Sequence, residues 1–353
     1  MKFNLFLDSG AHMFFNKYIR GKARPTYEWM EEDDFKTFFH NYCTYLQKYG
    51  KFYDVLATLD IIFNPQETWN VQKRIEKEYG VHPIPVYHFG EDIKWLHKYM
   101  DEYEYIGIGG LGQHISADEY TTFGDKVFKE IDKGPWKTHG FAMTSFRLMQ
   151  RYNWYSVDSS SYVKLGAYGK ILIPKRTDGK WDLLKPASIV AVSEAGKARN
   201  KSDHFNKYTH LEKEMILSFI EEQGFKMGKS IIEDGKEIIV ENGLCNNDVQ
   251  RYDFNGKYYM RFAEQIGLNI YLAGAGRQIE LSSHFRDYES KYKGVLISAG
   301  DCLKGSENGK RSARCIALKA GSEKVDLADA KDKVGNAVDL SESSLSYIKA
   351  CRF

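Results

Sequence analysis

Residues 84–112 read IPVYHFGEDIKWLHKYMDEYEYIGIGGLG. An apolar run, IPVYHFGED (84–92), leads into the amphipathic IKWLHKYM and comes back as a second apolar run, YEYIGIGGLG (103–112). Short buried strands alternating with helices predict a parallel sheet with helices packed outside it. The same rhythm extends in both directions. Toward the N-terminus, FNLFLDSG (3–10) precedes an amphipathic stretch from Met30 to Tyr49, and FYDVLATLDII (52–62) precedes a helix around Glu67–Tyr79. Toward the C-terminus come a helix from about Asp118 to Ile131, THGFAMTS (138–145) running into FRLMQRY, and then WYSVDSSS (154–161).

Six such units favour an α/β fold of the (β/α)8, TIM-like barrel type over an open doubly wound sheet. A dinucleotide fold would need GxGxxG after the first strand, where DSGAHMF stands instead, and the GIGG at 107–110 supplies only part of that pattern. After the sixth strand the rhythm breaks. GKILIP (169–174) and SIVAVS (188–193) read as an inserted hairpin, THLEKEMILSFIEEQG as a helix, and KSIIEDGKEIIVENG as strands around a DG turn. NIYLAGAG (269–276) and KGVLISAG (293–300) are the expected seventh and eighth strands. Three segments follow from this reading. Residues 1–163 carry the first six units, 164–265 an inserted basic α+β segment, and 266–353 the last strands and a polar tail.

Composition narrows the class. The chain of 353 residues is 42% hydrophobic and 14% aromatic, which is enough apolar material for a large core. It has no apolar run of membrane-spanning length, and MKFNLFLDSG meets Asp8 too early for a secretory leader, so a cytoplasmic protein is expected (a host's cytoplasm if a phage encodes it). Cys43, Cys245, Cys302, Cys315 and Cys351 form no CxxC pair, so no zinc or iron–sulfur site is expected. Net charge is only +2, but between residues 164 and 213 eleven basic residues face five acids. That surplus suits a polyanion backbone or a dispersed solvated face about equally.

In a parallel α/β barrel the strand ends open on one face, and chemistry gathers there. Asp8 ends the first predicted strand, Asp60 the second, His88 the third, Gly109 and Gly110 the fourth, and Asp158 the sixth. Helix capping explains one strand-end carboxylate more comfortably than three. Grouped carboxylates bind a divalent metal, or divide into nucleophile and general acid/base. Paired glycines leave backbone amides open to a flat ligand.

Taken in order, DSG, the Asp of TLDII, GGL and the VD of the sixth strand resemble the tRNA-guanine transglycosylase superfamily. The likeness is nearest to its shorter phage and bacterial members that act on DNA, the DpdA-type 7-deazaguanine transglycosylases, and covers roughly residues 2–160. The resemblance implies that Asp158 is the nucleophile at C1′ of the sugar and Asp8 the general acid/base. It implies that Asp60 reads the Watson–Crick edge of the base, aided by the backbone at Gly109 and Gly110, with Ser9 grouped among the base-binding residues. His88 stands where the family has a glutamine, and His12 where it has a stacking aromatic. No redox or metal cofactor is implied, only a free 7-deazaguanine as co-substrate.

Departures from the family concern the polymer. No CxCxxC…H module follows Asp158, SSSYVKLG replaces the usual proline- and arginine-bearing segment, and the portion preceding DSG in tRNA-acting members is missing. DNA is therefore the expected partner, with tRNA the alternative, and Lys170, Lys175 and Arg176 are the candidate phosphate contacts. An N-glycosylase or glycoside hydrolase, or a non-catalytic nucleic-acid-binding barrel, would use the same framework. His139 reads as a hydrogen-bonded core residue, Arg147 and Arg151 as surface pairs, and GAGR at 274–277 as a turn.

Overall fold

The computed structural model describes residues 4–22, 26–110, 116–143, 145–194, 202–234, 236–273 and 293–298. The first half alternates strand and helix. β1 (Asn4–Asp8) is followed by the helical turn α1 (His12–Phe14) and by α2 (Asp33–Tyr49). Next come β2 (Val55–Leu56), α3 (Pro65–Tyr79), β3 (Val86–His88), α4 (Ile93–Met100) and β4 (Tyr105–Gly109). The units α5 (Ala117–Ile131), β5 (Lys137–Gly140), α6 (Phe146–Arg151) and β6 (Ser156–Ser159) complete the series.

An insertion then carries α7 (Ser161–Ala167), β7 (Lys170–Ile173), β8 (Lys175–Thr177), β9 (Lys180–Asp182) and β10 (Ser188–Ala191). It continues through α8 (His210–Glu222), β11 (Lys229–Glu233), β12 (Lys236–Glu241) and α9 (Asp248–Ile266). The chain returns to the central sheet with β13 (Asn269–Ala273) and β14 (Lys293–Ser298).

The protein is a mixed α/β fold around a parallel sheet in the order β2-β1-β14-β13-β6-β5-β4-β3. Both faces of the sheet are buried. On β1, Leu5 and Leu7 pack toward the helices, whereas Phe6 joins Val55, Ala57, Ile84 and Tyr271 in a separate cluster. That alternation is the period-2 signature of a strand covered on both sides. Several helices start where polar side chains take up free amides. Asn64 caps α3 ahead of Pro65, and Ser116 with Glu119 forms a capping box on α5.

The insertion has its own core, built from Ile171, Ile173, Val190, Val192, Ile216, Phe219, Ile220, Leu244 and Phe254. β7 and β10 pair antiparallel, as GKILIP and SIVAVS predict, and β8–β9 forms a smaller hairpin between them. Buried polar groups on α9 fasten this unit to α7. Arg251 donates to the carbonyls of Gly166 (2.7 Å) and Leu244 (2.8 Å), and Asn255 bonds both the Leu172 amide and the Lys170 carbonyl. The sequence hides α9 because RYDFNGKYYMRF mixes buried polar and aromatic residues and leaves no clean apolar stripe.

Several boundaries differ from expectation, and Asp158 lies one residue inside β6 rather than at its end. The second strand stops at Leu56, so Asp60 lies in the loop beyond it rather than at its end. Tyr42 takes the Ala57 carbonyl and Thr68 bonds both the amide and the carbonyl of Ile61, which turns the chain out of the sheet. The helix expected from Met30 begins at Asp33, after a short 3-10 turn at Glu28–Glu31. Among the described residues, no helix is long and apolar enough to cross a membrane.

Candidate active site

Asp8 feels the charges of Asp60 and Asp158, which are far from it in sequence. Asp8 is the last residue of β1, and the backbone amides of Gly10 and Ser9 hydrogen-bond its carboxylate. Gly10 makes this turn with φ +81°, a conformation costly for any residue with a side chain. Burial, and then the charges of Asp60 and Asp158, push the Asp8 carboxyl up from 3.8 to about 7, more than the two amides pull it down. A carboxyl in that range can give and take a proton near neutrality.

Asp60 and His88 form a buried pair. His88 Nε2 lies 2.8 Å from Asp60 Oδ2, and its Nδ1 lies 3.1 Å from Glu91 Oε1. Glu91 Oε2 also accepts the His88 amide at 3.0 Å. Burial alone would lower the basicity of His88, but the bonds to Asp60 and Glu91 carry it to about 10. At neutral pH the ring is an imidazolium with both N–H groups donating, held between two carboxylates. Asp60 keeps Oδ1 and a remaining lone pair of Oδ2 for a ligand.

Asp158 is 7% exposed and lies within β6, beside Tyr271 of β13. Its Oδ1 accepts from the Ala142 amide at 2.9 Å and faces His139 Nε2 at 3.2 Å. His139 is fully buried, its Nδ1 lies 2.6 Å from Ser156 Oγ, and Ser156 in turn bonds the Tyr105 hydroxyl. Burial keeps this imidazole below its ordinary range despite Asp158 beside it, so it is neutral at pH 7. The consistent proton arrangement has Ser156 donating to Nδ1 and Nε2–H donating to Asp158. Ala142 aims its amide from a left-handed conformation, φ +52°, which costs a non-glycine residue about 1–2 kcal/mol.

The remaining candidates have local roles. The Ser9 hydroxyl is buried and accepts from the Ala11 amide at 3.3 Å. His12 is exposed and tilted against Phe15, with Asp60, Arg20 and Lys164 all within electrostatic reach. At Gly109 a Cβ would sit 2.9 Å from His88 Cδ2, and at Gly110 2.9 Å from the Phe89 amide. The glycines thus admit the His88 ring and the Phe89 backbone.

The candidate phosphate contacts bond within the insertion. Lys170 pairs with Asp203 at 2.6 Å, Lys175 donates to Ser188 Oγ at 2.8 Å, and Arg176 holds the Gly179 carbonyl and stacks over Trp181. Arg151 pairs with Asp125, and Arg147 donates to Thr121, in keeping with surface roles. GAGR at 274–277 and Cys302, Cys315 and Cys351 lie outside the described residues.

Sequence reasoning missed Glu91, the Ala142 amide and the contact of His139 with Asp158. Glu91 has a signal, a carboxylate three residues after a strand-end histidine. The Ala142 amide has none, because any residue type carries one. It also missed Phe63, three residues beyond Asp60. Phe63 is exposed, holds φ +68° and meets Phe15 edge to face. Among the described residues, no group of three or more ligating side chains is arranged to hold a metal ion. The chain matches no family model, no curated protein and no solved structure.

Proposed function

We propose that the protein is a guanine transglycosylase that exchanges guanine in a nucleic acid, DNA before tRNA, for a 7-deazaguanine. The observation that carries this reading is the raised acid, Asp8, sharing one site with a second carboxylate, Asp158, that is held by two N–H groups. In this mechanism Asp158 attacks C1′ and the glycosidic bond breaks, while protonated Asp8 gives its proton to the departing guanine. The incoming base then attacks C1′ through N9, its N9 proton passes to Asp8, and the Asp158 ester bond is released. Two displacements return the sugar to its original configuration. Asp60, oriented by His88, accepts from the N1–H and 2-amino groups that a guanine-like edge presents. In a duplex the target nucleotide has to leave the stack to reach these groups.

The reading includes a closed (β/α)8 barrel. In support, a parallel bridge joins Ala57 to Ile84, linking the two ends of the strand order. The Thr58 amide donates to the Ile84 carbonyl at 3.0 Å and the Ile84 amide to the Leu56 carbonyl at 2.7 Å. The cluster of Phe6, Val55, Ala57, Ile84 and Tyr271, packed by Tyr105 and Phe141, gathers side chains from across the sheet as a barrel interior would.

The test omits the incoming base, so that the covalent intermediate accumulates. Wild-type protein incubated with guanine-containing DNA, and separately with tRNA, is run on a denaturing gel. A protein–polymer adduct with DNA that Asp158→Asn abolishes is the expected result. No adduct with either polymer, together with unchanged guanine release by Asp158→Asn, overturns the proposal.

A further inference from the structure

The hairpin β11–β12 is a two-stranded sheet that pairs with no other described strand. It carries five exposed β-branched residues, Ile231, Ile232, Ile238, Ile239 and Val240, each between 39% and 56% accessible. An isolated hairpin with apolar faces is marginal in water, and bare strand edges invite pairing. Yet this one is firmly rooted. Its two strands leave the body at Gly228 and Gly243, so close that a Cβ at Gly228 would sit 2.7 Å from the Gly243 amide. Asn246 ties the base together through the Glu241 carbonyl and Ser230 Oγ.

Both faces carry exposed isoleucines, and the register, which shifts between Lys229 and Ser230, sets out one of them. Ile231 sits opposite Ile238, flanked on one side by Lys229 opposite Glu241 and on the other by Glu233 opposite Lys236. An isoleucine pair therefore lies at the centre of a rectangle with lysines on one diagonal and glutamates on the other. This pattern is complementary to itself. Turned over by a two-fold axis along the strands, Lys229 meets Glu241 and Glu233 meets Lys236 of the other copy. Turned over by an axis across the strands, Lys229 meets Glu233 and Lys236 meets Glu241. Either way opposite charges align and the isoleucines stack. The hairpin holds four acids (Glu233, Asp234, Glu237 and Glu241) against two lysines, which disfavours a phosphate backbone as its cover.

We propose that a second copy of this chain covers the Ile231–Ile238 face, forming a two-fold dimer through the hairpin. The inference is independent of the base-exchange reading. Its test is sedimentation velocity of the full chain over two decades of concentration. Wild-type protein should shift from one chain toward two. Ile231→Glu should remain a single chain, while Leu211→Glu, which alters an exposed leucine on α8, should associate as wild type does. Lys236→Glu touches no core and sets a glutamate against a glutamate under either axis. It should weaken association about tenfold, with added salt recovering part of the loss. Wild-type protein that stays a single chain throughout the range, or Ile231→Glu and Lys236→Glu variants that associate like wild type, would overturn the proposal.

Discussion

Asp8→Asn should make the protein more stable at alkaline pH. The wild-type carboxyl stands at about 7 in the folded protein against an ordinary 3.8. Below about pH 4 both folded and unfolded chains hold this proton, and the site costs nothing. Between about pH 4 and pH 7 the unfolded chain gives up the proton while the folded chain keeps it, so stability falls by about 1.4 kcal/mol per pH unit. Above about pH 7 the folded carboxyl ionises as well and the cost levels off at roughly 4 kcal/mol, an upper figure for a carboxyl partly open to water. Asparagine cannot ionise and can still accept from the Gly10 and Ser9 amides. Urea unfolding at about pH 8 should therefore place Asp8→Asn about 2–4 kcal/mol above wild type, with the two curves converging near pH 4. If the variant is no more stable at pH 8, or its advantage is the same at both pH values, the shared electrostatic site is wrong. The same variant should lose base exchange, since it can no longer carry the proton.

Three further outcomes follow from the contacts around that site. His88→Phe leaves Asp60 and Glu91 without their cation and should cost about 3–5 kcal/mol at neutral pH by chemical denaturation. The stability that His88 adds is complete below its ordinary 6.5 and fades as pH rises through about 10, so the gap to wild type should narrow there. Gly109→Ala pushes a Cβ to 2.9 Å from His88 Cδ2 and 3.0 Å from Val86 Cγ1, which should cost about 1–3 kcal/mol in thermal melts. It should also bring the imidazole titration, followed by NMR, down from about 10. His139→Ala removes one of the two N–H groups on Asp158 and should slow adduct formation about 100-fold while DNA binding persists. A His139→Gln variant, which can still donate, should recover part of that rate.

Residues that act by ending or following a strand were legible in the sequence, because strand period and turn chemistry are local. Asp8 and His88 end their strands as expected, Asp158 lies one residue inside its strand, and the DG turn of β11–β12 falls at Asp234. What was not legible depends on contacts between elements. Asp60 reaches the site from a loop shaped by Tyr42 and Thr68, and neither residue announces that role in its own neighbourhood. Gly109 shows why a glycine pair is ambiguous on its own. The space left by a missing Cβ is equally useful to a ligand and to a neighbouring ring, and here the His88 ring lies against it. His139 was correctly read as a hydrogen-bonded core residue, but its period-2 position could not reveal which carboxylate lay at the other end of the bond.

Those hidden contacts explain how Asp8 tolerates the charges of Asp60 and Asp158. Crowded like charges have to be neutralised by cations, dipoles or protons. Asp60 receives a cation, the His88 imidazolium, whose second N–H is taken by Glu91. Asp158 receives dipoles, the N–H groups of Ala142 and His139, and the burial that keeps His139 neutral withholds a full positive charge from it. A fully cationic partner there would hold the carboxylate's electrons more tightly and weaken it in the proposed role of nucleophile. Among the described residues Asp8 has the Gly10 and Ser9 amides, too little against two neighbouring charges and its own burial, so its carboxyl is raised and holds a proton toward neutrality. The donor is thus assigned by what surrounds each carboxylate, since the three side chains are chemically identical. Moving the His88 cation toward Asp8 would lower that acid and remove the proton donor that the proposed base exchange needs.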